Sequence, residues 1–210
     1  MPIPLIVWVI AGVVVLVGGG VAIACLSGKT VAFIGMSESG KTTAVRGFQA
    51  VEKKEKGWKA GNTHSGTMSD IKEHDVLGFK AVIDTSGAQQ LKRRWAETIK
   101  KAKADWVFYF FDISKLDKKM DLENNVQARY FTLVKADLRD VAEICKDQKK
   151  HLLVIATHTD MEYDKEEAKR YCEDILAELS ALDQYGFVEG SLVDYASASA
   201  LWSLIKEKVK

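Results

Sequence analysis

The chain is 210 residues long with a formal net charge of +1, a balance that argues against nucleic acid as a partner. Its two prolines both stand before residue 5, and it has neither a low-complexity tail nor a repeat at solenoid or propeller period. The three cysteines, Cys25, Cys145 and Cys172, are too sparse for a disulfide framework and suit a reducing compartment.

The first element is an apolar run. Leu5 to Leu26 carries no charged side chain, and the first charge is Lys29. At 1.5 Å per residue this run spans about 33 Å, close to the roughly 30 Å of bilayer hydrocarbon. Trp8 stands near one end, and Gly12, Gly18, Gly19 and Gly20 lie inside, as membrane helices tolerate. A cleaved signal begins with basic residues, which Met1-Pro2-Ile3-Pro4 lacks. Ala22-Ile23-Ala24 and Ala24-Cys25 only faintly suggest a cleavage or lipid-attachment site. The expectation is an uncleaved transmembrane anchor over residues 1–28 and one domain over 29–210. The stub before the run has no Lys or Arg, whereas Lys29, Lys41 and Arg46 follow it. The positive-inside rule therefore places a single-pass protein with its domain in the cytosol, close beneath the bilayer.

Thr30 to Ile34 reads as a buried strand and Thr42 to Val51 as a helix. Lys53 to Gly66 reads as a loop. Met68 to Glu73 and Val76 to Asp84 read as two strands around a His74-Asp75 turn. Gln89 to Lys103 has Leu91, Trp95, Ile99 and Ala102 at helical spacing. Asp105 to Asp112 holds a continuous apolar run typical of a buried strand. Leu122 to Lys146 reads as one long amphipathic helix, Leu152 to Ala156 as a strand, and Lys165 to Leu182 as a helix. Ser191 to Tyr195 reads as a last short strand and Ala200 to Val209 as the closing helix. The alternation predicts a three-layer α/β sandwich with a mainly parallel sheet.

Gly35-Met36-Ser37-Glu38-Ser39-Gly40-Lys41-Thr42 fits G-x-x-x-x-G-K-[ST], between a strand and a helix as that motif requires. This makes the predicted fold a P-loop NTPase. Backbone N–H groups of Ser37, Glu38, Ser39, Gly40 and, in the first helical turn, Thr43 can cradle phosphate oxygens. Lys41 would reach the β- and γ-phosphates, and the Thr42 hydroxyl would ligate Mg²⁺. Asp84-Thr85-Ser86-Gly87 follows a strand, where its Asp faces the ligand crevice of such sheets. Asp84 is thus a Mg²⁺ candidate, and the Gly87 N–H a γ-phosphate donor. A further Mg²⁺ ligand is expected between Arg46 and Met68. Thr63 and Thr67 are both candidates.

Thr157-His158-Thr159-Asp160 follows another strand. The Asp160 carboxylate can accept from guanine N1–H and its exocyclic amine, a donor pair that adenine lacks. Ser197 and Ala198 are expected beyond the last strand, offering a backbone N–H to guanine O6.

Taken in order, these segments resemble the small GTPases of the Ras superfamily over about residues 29 to 210. With its anchor, the chain looks most like the β subunit of the signal recognition particle receptor and its ARF-like relatives. The resemblance implies GTP and GDP binding with Mg²⁺ and a nucleotide-dependent surface for a protein partner. Two departures stand out. The family often carries Gln directly after the Gly of D-x-x-G. Here Ala88 stands there, followed by Gln89 and Gln90, which leaves Gln89 as the candidate for positioning an attacking water. The base-reading motif usually begins Asn-Lys, and here it begins Thr157-His158.

Lys92, Arg93, Arg94, Lys100, Lys101 and Lys103 cluster after Gly87. They read as a solvated helix face, or as a contact for anionic lipid or an acidic partner.

Overall fold

The computed structural model describes residues 26, 28–61, 72–83, 91–121, 127–179 and 185–209. The anchor run before Leu26 and Thr63, Thr67, Asp84, Gly87 and Gln89 lie outside the described residues. Among the described residues no helix is long and apolar enough to cross a membrane.

Strands β1 (Thr30–Gly35), β3 (Phe79–Ile83), β4 (Trp106–Asp112), β7 (His151–Thr157) and β8 (Tyr185–Glu189) run parallel. Strand β2 (Lys72–Val76) pairs antiparallel with β3, giving a sheet ordered β2-β3-β1-β4-β7-β8. The central strands are apolar throughout because both faces are covered, and their alternation decides which side chain goes to which layer. Val31, Phe33, Phe108, Phe110, Leu153 and Ile155 pack toward helices α1 (Lys41–Glu52) and α5 (Tyr195–Lys208). Ala32, Ile34, Val107, Tyr109, Phe111, Leu152 and Val154 pack toward α2 (Leu91–Lys101), α3 (Tyr130–Gln148) and α4 (Lys165–Leu179). The three-layer, mainly parallel architecture is therefore as expected. Cys145 and Cys172 are buried free thiols, the pKa of each pushed up to about 12 by desolvation, which makes them inert filling.

Four boundaries differ from expectation. The β2–β3 turn is Leu77-Gly78, not His74-Asp75, and His74 and Asp75 lie within β2. Both turn residues have positive φ, 48° and 85°, as a two-residue hairpin turn requires. Leu77 tolerates it while packing against the core. Helix α3 begins at Tyr130, eight residues after Leu122; before it stands a hairpin of β5 (Lys119–Asp121) and β6 (Gln127–Arg129). Its start is set at long range: Tyr130 N–H donates to Lys118 O at 2.9 Å and Phe131 N–H to Leu116 O at 3.3 Å.

The last strand is β8, upstream of the expected Ser191–Tyr195. Helix α5 begins at Tyr195, capped by Asp194. The Asp194 carboxylate accepts from Ser197 N–H at 2.9 Å, and the Ser197 hydroxyl lies 3.0 Å from Asp194 N–H. Those capping bonds lower the Asp194 pKa. Ser-Leu-Val-Asp is thus the connection into a helix, satisfied by a capping box rather than by a ladder.

Candidate nucleotide-binding site

The C-terminal ends of the parallel strands share one edge, and three loops leave it side by side. The first follows β1. Gly35 has φ 122°, and a Cβ there would stand 2.2 Å from Phe110 O, so only glycine lets the chain turn this close to β4. Glu38 (φ 57°) and Gly40 (φ 81°) are also left-handed. Such turns of hand aim successive N–H groups into one concavity. Ser39 is buried and its hydroxyl donates to Met36 O at 2.7 Å.

Helix α1 opens on Gly40 with no side-chain cap and no acidic residue in its first turn. Its terminal N–H groups and partial positive charge are left facing the loop. The buried Lys41 ammonium donates to Gly35 O at 2.9 Å and to Met36 O, within the same loop. Thr42 is exposed at the mouth. Phosphate oxygens fit this constellation, which supplies donors and positive charge and no competing side-chain acceptor at the cap. Mg²⁺ fits it through the exposed Thr42 hydroxyl.

The second loop follows β7. Thr157 is buried, and its hydroxyl lies 3.0 Å from both Ser39 O and Phe111 O. Its single proton can serve either, so this side chain ties the second loop to the first. His158 adopts φ 62°. Its Nδ1 lies 2.9 Å from Thr157 Oγ1 and 3.7 Å from Asp112 Oδ2. Asp160 is exposed at the edge.

The third loop, Gly190 to Asp194, follows β8 and occupies the place expected for Ser197 and Ala198. Those two lie inside α5, and Ala198 is fully buried. Their N–H groups are already used, Ser197 N–H by the Asp194 carboxylate and Ala198 N–H by Asp194 O at 3.0 Å. Ser191 stands at the edge instead, and its hydroxyl donates to Asp160 Oδ1 at 2.6 Å. Beside it, Leu192 N–H has no protein partner among the described residues. A Cβ on Gly40 would lie 3.4 Å from Leu192 Cδ1, 3.7 Å from Thr157 Cγ2 and 3.8 Å from His158 Cε1. All three loops therefore close on one crevice.

Sequence reasoning also missed the turn after β4. Asp112 is buried, and its Oδ1 accepts from Ser114 N–H at 3.0 Å and from the Ser114 hydroxyl at 2.7 Å. Its other oxygen lies 3.5 Å from Lys115 Nζ, which also reaches Glu38 at 3.2 Å. Lys115 thereby offsets the one carboxylate in the phosphate loop. Met161, beside Asp160, is 54% exposed, an apolar group at the lip that flat aromatic surface can cover. On the far side Ile83, the last residue of β3, lies opposite Phe33 of β1.

No family model matches the sequence, and no curated protein matches it. Solved structures do. The chain is similar to the Arl6 (BBS3) small GTPase of Trypanosoma brucei with a bound nucleotide analogue, GppNp. The TM-score is 0.58 at 15% identity, over 86% of this chain and 96% of that one. It is also similar to a structure described as that of a probable GTP-binding protein, EngB. There the TM-score is 0.54 at 15% identity, over 86% and 98% of the two chains. At such identity the likeness is one of fold: the mainly parallel, three-layer α/β architecture is shared with both structures.

Proposed function

We propose that this chain binds GTP and GDP with Mg²⁺ at the crevice, hangs from a membrane by the run ending at Leu26 with its domain in the cytosol, and presents a nucleotide-dependent surface to a protein partner. The observation that carries this reading is the meeting of the phosphate loop with the Asp160 loop through the Thr157 hydroxyl, 3.0 Å from Ser39 O. A phosphate-binding loop alone serves many chemistries. Joined to a carboxylate at the neighbouring strand end, it measures out a purine nucleotide.

In this reading the loop N–H groups and Lys41 hold the phosphates, and Thr42 with Asp84 and Thr63 or Thr67 holds the metal. When bound, Mg²⁺ neutralises charge shared between β- and γ-phosphate oxygens. Asp160, oriented by Ser191, accepts from the guanine edge, and Leu192 N–H replaces Ala198 N–H as the donor to O6. Lys41 also counters charge that grows on the phosphate oxygens during hydrolysis, and Gln89 is the candidate for orienting water. Gly87 N–H meets the γ-phosphate, coupling its presence to the neighbouring loop.

A second reading, a GTP-holding scaffold or receptor subunit with little hydrolysis, is favoured by one observation: Ala88 follows Gly87 where the resembled family often has Gln. The nucleotide that co-purifies with the full chain in detergent tests the shared part. Guanine nucleotide is expected, and adenine nucleotide overturns it. Single-turnover phosphate release then separates the two, minutes for the switch and many hours for the scaffold.

A further inference from the structure

The parallel strands begin at the opposite edge of the sheet, where Thr30, Phe79, Trp106 and His151 lie together. Asp105 N–H donates to Thr30 O at 2.8 Å, and His151 N–H to Asp105 O at 3.4 Å. The chain enters the fold here. Leu26, the last residue of the uncharged run, is 2% exposed in the core beside α1 and α5. Two hydrogen bonds fasten the entrance, Lys29 N–H to Leu26 O at 3.0 Å and Gly28 N–H to Gly78 O at 2.9 Å. No slack separates the run from the domain, so whatever holds the run faces this edge.

Helices α1, α2 and α3 all end here. Just past each end one residue adopts the left-handed conformation: Lys54 (φ 57°), Lys103 (φ 51°) and Lys149 (φ 54°). Glycine is the usual residue at such a position because it has no Cβ to strain. Three lysines in its place accept that strain three times. A single cation near a helix C-terminus is explained by the helix dipole, but the dipole is served as well by a lysine one turn earlier, as Lys100 and Lys101 already are in α2. All three lysines are exposed. The edge also carries exposed carboxylates, Glu52 and Asp75 near Lys29 and Asp147 in the last turn of α3, while Asp105 is engaged by Thr30 N–H at 3.1 Å. Lys53, Lys56, Lys100, Lys101 and Lys146, all exposed, join the three left-handed lysines and leave the edge basic.

We propose that this edge is a lysine-bearing face that rests on anionic lipid headgroups and turns the nucleotide crevice away from the bilayer. The proposal rests on the membrane-anchor reading. Charge complementarity singles out the occupant, since a lysine near an anionic leaflet gains attraction that falls off within a Debye length. It also divides the basic cluster of α2: its C-terminal lysines join this face, and Lys92, Arg93 and Arg94 lie at the other end of the helix.

The test uses the full chain reconstituted in vesicles of phosphatidylcholine, with or without phosphatidylserine. A water-soluble amine reagent and mass spectrometry read the labelling of each lysine. Lys54, Lys103 and Lys149 are expected to label about five-fold more slowly in the anionic vesicles and to recover at high salt. Lys59 and Lys165, at the crevice edge, are expected to label equally in both. A Lys54→Gly/Lys103→Gly/Lys149→Gly variant is expected to melt no lower than the parent, since glycine relieves the strain, yet to lose the slowed labelling of Lys29 and Lys101. Equal labelling in the two vesicle types, or a glycine variant that keeps the protection, overturns the proposal while leaving the anchor standing. A chain that alkaline carbonate strips from both vesicle types overturns the anchor, and this orientation with it.

Discussion

The phosphate loop and the base loop stand side by side at one edge of the sheet, yet they are constrained differently. In the phosphate loop the backbone performs the task. Gly35 and Gly40 hold conformations or approaches that no other residue takes cheaply, so the spacing survives in the sequence as a pattern. In the proposed reading the base loop, Gly190 to Asp194, contributes one hydroxyl, Ser191, which orients Asp160, and one N–H, that of Leu192. Any serine near the end of a strand could supply the first, and any residue the second. Recognition by backbone geometry leaves a signature, whereas recognition by a single generic group leaves almost none.

The largest expected effect tests the backbone half. Gly35→Ala puts a Cβ 2.2 Å from Phe110 O at φ 122°, and denaturant unfolding should show a loss of about 3 kcal/mol or more. Gly190→Ala, which opens the base loop, meets only the Leu201 side chain at 3.1 Å and should lose about 1 kcal/mol. Equal losses would erase the contrast. Next, Lys41→Ala should weaken GTP binding about 100-fold by calorimetry, the worth of charge-assisted bonds to phosphate.

A third test asks whether the core behind the phosphate loop shares its tension. Tyr109 donates to Asp137 Oδ2 at 3.2 Å, and burial raises the Asp137 carboxyl to about 7, against the Tyr109 bond, which lowers it. The folded protein keeps this proton up to about pH 7, whereas an unfolded chain releases it near 3.8. The folded state therefore binds more protons in that window, and stability falls as pH rises through it. Asp137→Asn keeps the acceptor for Tyr109 and should flatten the slope, gaining about 2 kcal/mol at pH 8.

The smallest effects sharpen the base loop. Ser191→Ala should raise the GTP dissociation constant several-fold, about 1 kcal/mol, with little change in melting. Ser197→Ala should do the reverse, costing about 1 kcal/mol of stability through the α5 cap and leaving affinity unchanged. If Ser197→Ala weakened binding and Ser191→Ala did not, the site assignment would return to Ser197 and Ala198.

Much of the architecture was readable because long apolar runs, such as Trp106 to Asp112, signal burial on both faces whatever their surroundings. The failures share a cause. Tyr130 starts α3 because Lys118 O and Leu116 O receive its first N–H groups, contacts made across a hairpin that breaks no helical periodicity. At the Leu77-Gly78 turn, Gly78 carries the stronger turn signal of the two, but Leu77 beside it has none, because its positive φ is held by packing. Ser191 to Tyr195 reads as a strand because nothing local reveals that Asp194 is a cap. Local patterns report burial well. They report poorly which backbone group will be satisfied from a distance.

The most direct measurement is competition of ATP against GTP for the full chain with Mg²⁺, before and after Asp160→Asn. The parent is expected to prefer GTP by about 100-fold, and the variant to lose most of that preference while still binding triphosphate, because a carboxylate that pairs with the guanine edge discriminates by leaving the wrong base unpaired. Equal affinities in the parent, or a preference for GTP that Asp160→Asn leaves intact, would contradict the assignment of this crevice to guanine.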